Sequence, residues 1–580
     1  MPPRTHVGAE AAVEAALGPP EETRRESAAL DDAEMFPAGL CARLDAVGLP
    51  AFYVPAEWGG RLDDHEVLLR LLRSVARRDV SAAVAHGKTY LGTACVWIAG
   101  SPEQAASTAA AVLDGGPVAW ALSEPEHGAD LLAGELTAVS GSGGYRLDGV
   151  KWPVNNATRA GLLTVLARTG QAGNPRGHSL FLVDKAALAP GTVSHLPKVR
   201  THGIRGIDIS GVRFDGAWVP AATMLGAEGT GIATVLHALQ LTRTMCAALS
   251  LGAGEHALRL TARFAAARVL GGRPPAGRAR PASILARCAA LLAASEAVAL
   301  AGSRSIHSLT AEMAVTSAVV KSVTPTLVDA ALGDLAELLD ARSFLTGGYE
   351  HGAFEKLWRD HRIVAIFDGS TPVNRAALIQ QFPRLARAFA AGTVNSAGLA
   401  DTVAAGSGQR PLDRTALTLT SRHGSSLVQS LPSLARSLAE RPVHPGLAWH
   451  AEALSATAEE LHTAMGAVAL ARRPAMAAYE LAAAYELCYA GAACLWLWQT
   501  GAARHTGQPL WADGLWARSA LRELRTRAAG LLRTPEPAAA PGDDDIDEAL
   551  AGVVVEAATG GAGITPFGLP LPVLGSDCGS

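Results

Sequence analysis

Short β-prone segments are concentrated in one part of this chain, between about residues 117 and 225, and helical patterns lie on both sides of it. Segments such as YRLDGVKW, LLTVLART and HSLFLVDK alternate there with Gly, Asn and Pro, which is typical of short strands joined by tight turns. Before this part, and again from about 231 to 382, apolar residues recur at helical spacing. We therefore predict an α+β fold with an antiparallel β domain between helical domains.

The rest of the pattern gives the domain organisation. A Gly- and Ser-rich stretch is followed by a second Ala- and Leu-rich helical block, and a run of Pro and Asp follows that block. The predicted order is an N-terminal helical domain, a middle antiparallel β domain, a C-terminal helical bundle and an additional C-terminal helical region. The predicted boundaries are a flexible N-terminus at 1–30, helical domain at 31–118, β domain at 119–228, bundle at 229–388, linker at 389–411, extra helical domain at 412–535, and linker and tail at 536–580.

The composition is that of a folded protein, with 49% hydrophobic and 18% charged residues. The 50 basic and 54 acidic residues give a net charge of −4, so we expect neither nucleic acid nor an anionic membrane as a partner. The 7 cysteines form no CxxC pair, which favours reduced thiols in a cytoplasmic protein and no metal site. The N-terminal residues lack the apolar core of a signal peptide.

The most apolar stretch, at 478–500, carries Glu480 and Glu486. Carboxylates at these positions are costly in a bilayer, so we predict a buried helix and no membrane span.

Four separated segments carry patterns that bear on function. They are WALSEPEHGAD at 120–130, GVKWPVNNATRAGLLTVLART at 149–169, a segment at 212–252 that begins VRFDGAWVP, and LTGGYEHGAFEKLWRDHRIVAIFDGSTPVNRAALIQQF at 345–382. In this order they resemble the acyl-CoA dehydrogenase family, over roughly residues 40–385. The block at 412–535 is similar to the additional helical domain of the longer members.

The resemblance implies that the cofactor is FAD. Leu122 and Ser123 would contact the flavin pyrimidine ring, Trp152 would stack on the flavin, and Arg268 would bind the pyrophosphate. Val154 would stand where the family has a Thr near flavin N5, so that side-chain hydrogen bond would be missing. The complete set of implied cofactor residues is Leu122, Ser123, Gly128, Asp130, Trp152, Val154, Arg268, Gly347, Gly348 and Ser370. In the family, the glycine pair approaches the FAD of a neighbouring subunit.

The resemblance also implies a catalytic base at Asp368, eight residues after Asp360, where the family usually has Glu. A carboxylate in a dry pocket can accept the weakly acidic α-proton of a substrate. Asp is shorter than Glu by about 1.5 Å, one C–C bond, which indicates either a repositioned backbone or a different substrate. Thr242 stands where some members place their base and cannot serve as one. The implied substrate contacts are Arg243, Ala129 and Gly369.

The function that the resemblance implies is α,β-dehydrogenation of an acyl thioester, carried by CoA or by a carrier protein. The implied electron acceptor is an electron-transfer flavoprotein, and the implied assembly is a homodimer or homotetramer. Two alternatives stay open: a flavin-dependent oxidase or oxygenase on the same fold with an Asp base, and a non-catalytic scaffold, for which Asp368 would be a solvated Asp-Gly turn.

Overall fold

The computed structural model describes residues 7–269, 274–404 and 410–568. The chain forms two compact units. The first unit consists of Met1–Met245 with Pro411–Leu419, and the second consists of Cys246–Arg410 with Thr420–Ser580.

Six helices begin the first unit: α1 (Val7–Leu17), α2 (Pro20–Asp32), α3 (Ala38–Ala46), α4 (His65–Arg78), α5 (Val80–Ala99) and α6 (Pro102–Leu113). Side-chain caps fix where the last three begin. Asp64 accepts a hydrogen bond from the backbone N–H of Glu66, Asp79 accepts one from Ala82, and Ser101 forms a capping box at the start of α6.

The prediction of a flexible segment at 1–30 is wrong for the described residues from Val7 onward, because α1 and most of α2 lie there. Val13 and Leu17 of α1 are buried. Glu14 forms ion pairs with Arg77 and Arg78 near the end of α4. The sequence did not reveal this helix because its packing depends on a few small or apolar residues and on the ion pairs of the half-buried Glu14.

A sheet of eight strands follows: β1 (Val118–Ala121), β2 (Thr137–Gly141), β3 (Gly144–Asn155), β4 (Leu162–Arg168), β5 (His178–Asp184), β6 (Val193–Leu196), β7 (Ile209–Pro220) and β8 (Met224–Leu225). The strand order is β6-β7-β3-β2-β4-β5-β8, and β1 pairs with β4. Most pairs are antiparallel, as predicted, but β1–β4 and β2–β4 are parallel. Parallel partners are distant along the chain, so turn signals do not reveal them. Helix α7 (Gly231–Met245) follows the sheet.

The second unit is helical throughout its described residues. The bundle contains α8 (Ala247–Ala267), α9 (Ala279–Ser308), α10 (Met313–Leu339), α11 (Ala353–His361), α12 (Thr371–Ile379) and α13 (Phe382–Ala390). The additional region contains α14 (Ser396–Val403), α15 (Ser426–Gln429), α16 (Leu431–Ala439), α17 (Pro445–Gly466), α18 (Met476–Gly501), α19 (Leu515–Leu532) and α20 (Ile546–Gly560). Helix α18 packs against α9, α10 and α12, so the additional region and the bundle share one core.

Two predicted linkers contain helices. Helix α14 lies in the predicted linker at 389–411, and α20 lies in the predicted tail at 536–580. In α20, Ile546, Leu550 and Val554 are buried and recur every four residues, which is helical spacing. This periodicity is present in the sequence, but the Gly- and Pro-rich residues on both sides of it led to the prediction of a linker and tail.

Three helical segments of the described chain are long and apolar enough to cross a membrane by length and composition: Gly231–Ala267, Ala279–Ser308 and Met476–Gly501. The most apolar windows of the last two are 94% and 89% buried inside the protein. The third segment contains the stretch that the sequence predicted to be a buried helix.

Candidate active site

Asp368 lies in a tight loop between a helical turn at 362–365 and helix α12. Its φ is +58° and that of Gly369 is +96°, a left-handed pair that Asp-Gly adopts at low cost. The Asp368 side chain is half-buried, and the thiol of buried Cys246 donates a hydrogen bond to its Oδ2 at 3.3 Å. The predicted base is therefore a partly exposed carboxylate whose orientation a thiol helps to fix.

Two side chains that the sequence did not single out hold this loop. The Lys321 ammonium, in a side chain only 1% exposed, donates to the carbonyls of Val364 at 2.6 Å and Gly369 at 3.2 Å. The amide of Asn374, also buried, donates to the carbonyls of Gly369 at 2.7 Å and Ser370 at 3.0 Å. Two donors from different helices thus converge on the carbonyl that follows the candidate base.

Other carboxylates nearby are engaged in ion pairs. Glu355 pairs with Arg359, and Asp360 pairs with Lys356 at 2.7 Å. Both pairs join residues four positions apart on α11. They stabilise that helix, and neither carboxylate lies in the loop that bears Asp368.

The predicted flavin-contacting segment in the first unit is held by a buried ion pair. Lys151 on β3 donates to the carbonyl of Leu122 at 2.9 Å and to Glu124 at 2.7 Å, and the backbone N–H of Trp152 donates to the carbonyl of Ser123 at 2.9 Å. Leu122, Ser123 and Trp152 are half-buried, which leaves part of each accessible. These bonds place the end of β1 beside Trp152, as a shared binding surface requires.

Burial would raise the pKa of the Glu124 carboxyl, but Lys151 and the backbone N–H groups of Glu135 and Leu136 together lower it. Burial lowers the pKa of Lys151, and Glu124 opposes that shift. The pair fixes the start of the loop that carries Gly128, Ala129 and Asp130, three residues that are exposed.

The predicted role of Val154 is wrong. Its side chain is 1% exposed and packs in the sheet core with Ala119 and Ala121 of β1. Because side chains alternate along a strand, the next residue, Asn155, lies on the opposite face, together with Trp120. Counting the family pattern K-x-W-I-T-N from Lys151 likewise puts Asn155, not Val154, at the Thr position, and it puts Pro153, not Trp152, at the Trp position.

The Asn155 side chain fits a polar ligand on that face. Its Oδ1 is buried and has no hydrogen-bond partner among the described residues. Buried amides are nearly always hydrogen-bonded, so an orphaned one indicates a missing partner. A flavin edge offers both donors and acceptors. The sequence motif was aligned one position too early, so the prediction named Val154 and not Asn155.

Arg268 and Arg342 flank the ring of Phe264, with guanidinium carbons 5.6 Å and 5.2 Å from the ring centroid. Arg268 ends helix α8 and is half-buried, whereas Arg342 is exposed. Two guanidinium groups on one ring form a cationic position suited to a pyrophosphate. Arg342 carried no motif signal and was not predicted.

The glycine pair lies near the same ring. Tyr349, which directly follows Gly347 and Gly348, places its ring 5.3 Å from that of Phe264. Both glycines are exposed, Gly348 has a φ of +82°, and a Cβ at Gly347 would meet nothing within 4 Å. The loop is thus open to an approaching molecule.

The predicted residues fall into two groups. The first unit holds Leu122, Ser123, Gly128, Ala129, Asp130, Trp152, Val154 and the half-buried Arg243 of α7. The second unit holds Arg268, Gly347, Gly348, Asp368, Gly369 and Ser370. The order of helices, sheet and helices is that of an α+β fold, as the sequence predicts.

Comparison with known proteins makes the assignment specific. Three sequence profiles match in order: the acyl-CoA dehydrogenase N-terminal domain at 20–116, middle domain at 119–217 and C-terminal domain at 229–382. The chain belongs to the acyl-CoA dehydrogenase family. The predicted family and fold class are confirmed.

The probable acyl-CoA dehydrogenase FadE25 of Mycobacterium leprae is 31% identical over 241 residues, 41% of this chain and 61% of the relative. The chain thus spans less than two thirds of that relative. Cyclohex-1-ene-1-carbonyl-CoA dehydrogenase of Geobacter metallireducens is 26% identical over 60% of this chain and 90% of the relative. A solved acyl-CoA dehydrogenase of Bacillus anthracis, complexed with FAD, covers 95% of both chains with a TM-score of 0.73 and 19% identity.

Proposed function

We propose that the protein binds FAD and removes the α-proton and β-hydride from an acyl thioester, with Asp368 as the base. The observation that carries the proposal is the Asp368 loop, where two buried donors and a thiol hold a partly exposed carboxylate in a single arrangement. Such preorganisation matters because proton transfer needs the base within hydrogen-bond reach of the reacting C–H.

Each residue then has a defined part. Asp368 takes the α-proton, and the Cys246 thiol, hydrogen-bonded to Oδ2, keeps the carboxylate oriented. Lys321 and Asn374 hold the following carbonyl and so prevent the loop from rotating away. When bound, FAD supplies the acceptor for the hydride that leaves the β-carbon. The thioester is carried by CoA or by a carrier protein.

The cofactor residues divide between two parts of FAD. Leu122, Ser123 and Asn155 hold the flavin ring, while Arg268 and Arg342 bind the pyrophosphate. With Asn155 at the position of the family's Thr, a side-chain hydrogen bond to the flavin is available again. A missing hydrogen bond at that position favours an oxidase, so Asn155 removes this argument, and the short Asp base is the argument that stays. We propose an electron-transfer flavoprotein as the acceptor and the cytoplasm as the location.

Anaerobic stopped-flow spectroscopy with a panel of acyl thioesters tests the proposal. An acyl thioester should reduce the flavin of the parent protein in the absence of oxygen. The same mixture in air should form no hydrogen peroxide, which distinguishes a dehydrogenase from an oxidase. Asp368→Asn should stay folded and yellow, with reduction slowed by about 100- to 10,000-fold, since the amide cannot accept the proton. Reduction of Asp368→Asn at the parent's rate would contradict the assignment of the base, and a colourless parent protein would favour a scaffold.

Asp368→Glu shows whether the pocket has been rebuilt around the shorter base. If the pocket merely tolerates a shortened base, Glu should maintain or raise the reduction rate on acyl thioesters. If the backbone has moved to compensate, the longer side chain should clash and the rate should fall, by about 100-fold for a misplacement near 1 Å.

A further inference from the structure

A carboxylate lies in the middle of helix α18, in the additional region. Glu486 is 1% exposed and is flanked by the buried residues Tyr485 and Leu487. Burial raises the pKa of Glu486, and Arg375 opposes that shift. A charge in such a place persists only with a well-placed partner, because removal from water is costly.

That partner is Arg375 of helix α12. Its Nε donates to both carboxylate oxygens of Glu486, at 3.0 Å and 3.1 Å, and its Nη2 donates to Oε2 at 2.8 Å. This fork-on-carboxylate geometry fixes both the position and the direction of the guanidinium. The pair therefore joins the additional region to α12 at one defined point.

Helix α12 is the element that follows the candidate base. Arg375 lies seven residues after Asp368. The residue before Arg375 is Asn374, whose amide donates to the carbonyls of Gly369 and Ser370. A shift or rotation of α12 at Arg375 would move the Asn374 amide, and with it the carbonyl that Lys321 also holds.

We propose that Glu486 is a positioning residue for the base: through Arg375 and Asn374, the additional helical region sets the placement of the Asp368 loop. The catalytic part of this inference rests on the proposed function. It gives the additional region a role in the chemistry as well as in folding. A purely structural ion pair would affect thermal stability without altering the reduction step at temperatures well below unfolding.

Three variants test this. Glu486→Gln maintains the shape but loses the charge. Glu486→Asp keeps the charge on a side chain shorter by about 1.5 Å. Glu480→Gln is the matched control, since Glu480 is on the same helix and pairs with Arg533, which is 79% exposed.

The first measurement is the limiting rate of anaerobic flavin reduction at saturating thioester, with the half-saturating concentration and flavin content alongside. For Glu486→Gln we expect full flavin content, a limiting rate lower by about 10- to 100-fold and a half-saturating concentration within about twofold of the parent. Glu486→Asp should recover part of the rate, and Glu480→Gln should equal the parent. A parent-like rate in Glu486→Gln, or an equal loss in Glu480→Gln, would overturn the proposal.

The second measurement needs no substrate. Hydrogen exchange followed by mass spectrometry should show faster exchange across residues 364–378 in Glu486→Gln, and unchanged exchange there in Glu480→Gln. Unchanged exchange at 364–378 in Glu486→Gln would refute the positioning link. If no acyl thioester reduces the parent protein, the proposed function fails while this measurement still decides whether Glu486 holds the loop.

Discussion

Single residues on β3 decide which side chains a flavin can meet. Val154 and Asn155 are neighbours, yet Val154 lies in the sheet core, whereas the buried Oδ1 of Asn155 has no hydrogen-bond partner in the part of the chain that the structure describes. A shift of one position along a strand exchanges the faces of all its side chains. The register of β3 therefore determines which of its side chains can contact a flavin, as well as which ones pack in the core.

Paired threonine substitutions check that register. Val154→Thr puts an unpaired hydroxyl into an apolar core and should cost about 1–3 kcal/mol of stability with little effect on flavin retention. Asn155→Thr should preserve flavin retention, whereas Asn155→Ala should weaken it by about tenfold, the value of one hydrogen bond. Thermal melts and flavin titration separate the two effects. Loss of flavin in Val154→Thr without loss of stability would restore Val154 to the site.

Arg268 and Arg342 should act together on the cofactor. Arg268→Ala and Arg342→Ala each remove a charge from the position beside Phe264, and each should weaken FAD binding by about 10- to 100-fold, the range for a hydrogen bond to a charged group. Arg263→Ala, at an exposed position on helix α8, is the control and should bind FAD as the parent does. Equal FAD affinity in all three variants would remove both arginines from the site.

Some site residues could be predicted from the sequence and others could not, for a physical reason. Asp368 and Arg268 belong to short local motifs, so the family resemblance locates them from the sequence. Cys246 lies 122 residues before the carboxylate it contacts, and Lys321 lies 48 residues before Gly369. Contacts of that kind arise from helix packing, and a single sequence carries no pattern for them.

At the scale of elements, the contact between the start of α10 and the start of α15 contains a buried acid. Glu312, 4% exposed, accepts hydrogen bonds from the backbone N–H of Ser426 at 2.8 Å and from its hydroxyl at 2.6 Å. Burial outweighs these donors and raises the pKa of Glu312 to about 7. The folded protein therefore holds a proton there that the unfolded chain releases near pH 4.5.

The sign of the pH dependence follows from that raised pKa. The contribution of protonated Glu312 to the stability of the folded protein is fully present below about pH 4.5. It is lost as the pH rises through about 7, because the folded state must then bury the charge of Glu312. The loss amounts to about 3 kcal/mol at most. Glu312→Gln, which cannot ionise, should raise Tm at pH 8 by several degrees and change it little at pH 5. Glu459→Gln, at an exposed position, should show no such difference; an equal response in both variants would contradict the prediction.

The order of elements was predictable because periodicity changes visibly where the sheet begins and ends. Helices α1, α14 and α20 and most of α2 were not predicted, because small or polar residues, or Gly and Pro, surround the few residues that these helices bury. The sequence of α20 shows a helical repeat, formed by Ile546, Leu550 and Val554. The ion pairs of Glu14 on α1 could not be predicted from the sequence. What a single sequence lacks is the partner surface that makes a weakly amphipathic helix stable.

At the scale of the whole molecule, the exposed apolar residues of the second unit bear on assembly. Phe344 is 75% exposed, Leu345 is 49% exposed and Ile366 is 60% exposed. Phe344 and Leu345 lie two to three residues before Gly347, the first glycine of the open loop, and Ile366 lies two residues before Asp368. The family resemblance assigns that glycine loop to the cofactor site of a neighbouring subunit, so we expect this surface to be covered in a homodimer.

Phe344→Asp should therefore weaken the dimer and flavin retention together. Burying one Phe side chain is worth about 1.5–3 kcal/mol, and a twofold interface contains the residue twice. Light scattering after size exclusion should show the parent as a dimer or larger, and the variant shifted toward monomer with less FAD per chain. Met476→Asp is the matched control, since Met476 is 74% exposed in the same unit but outside the predicted interface, and it should leave mass and flavin content unchanged. A parent protein that is monomeric with full FAD content would contradict the shared site, because each chain would then complete its own cofactor contacts.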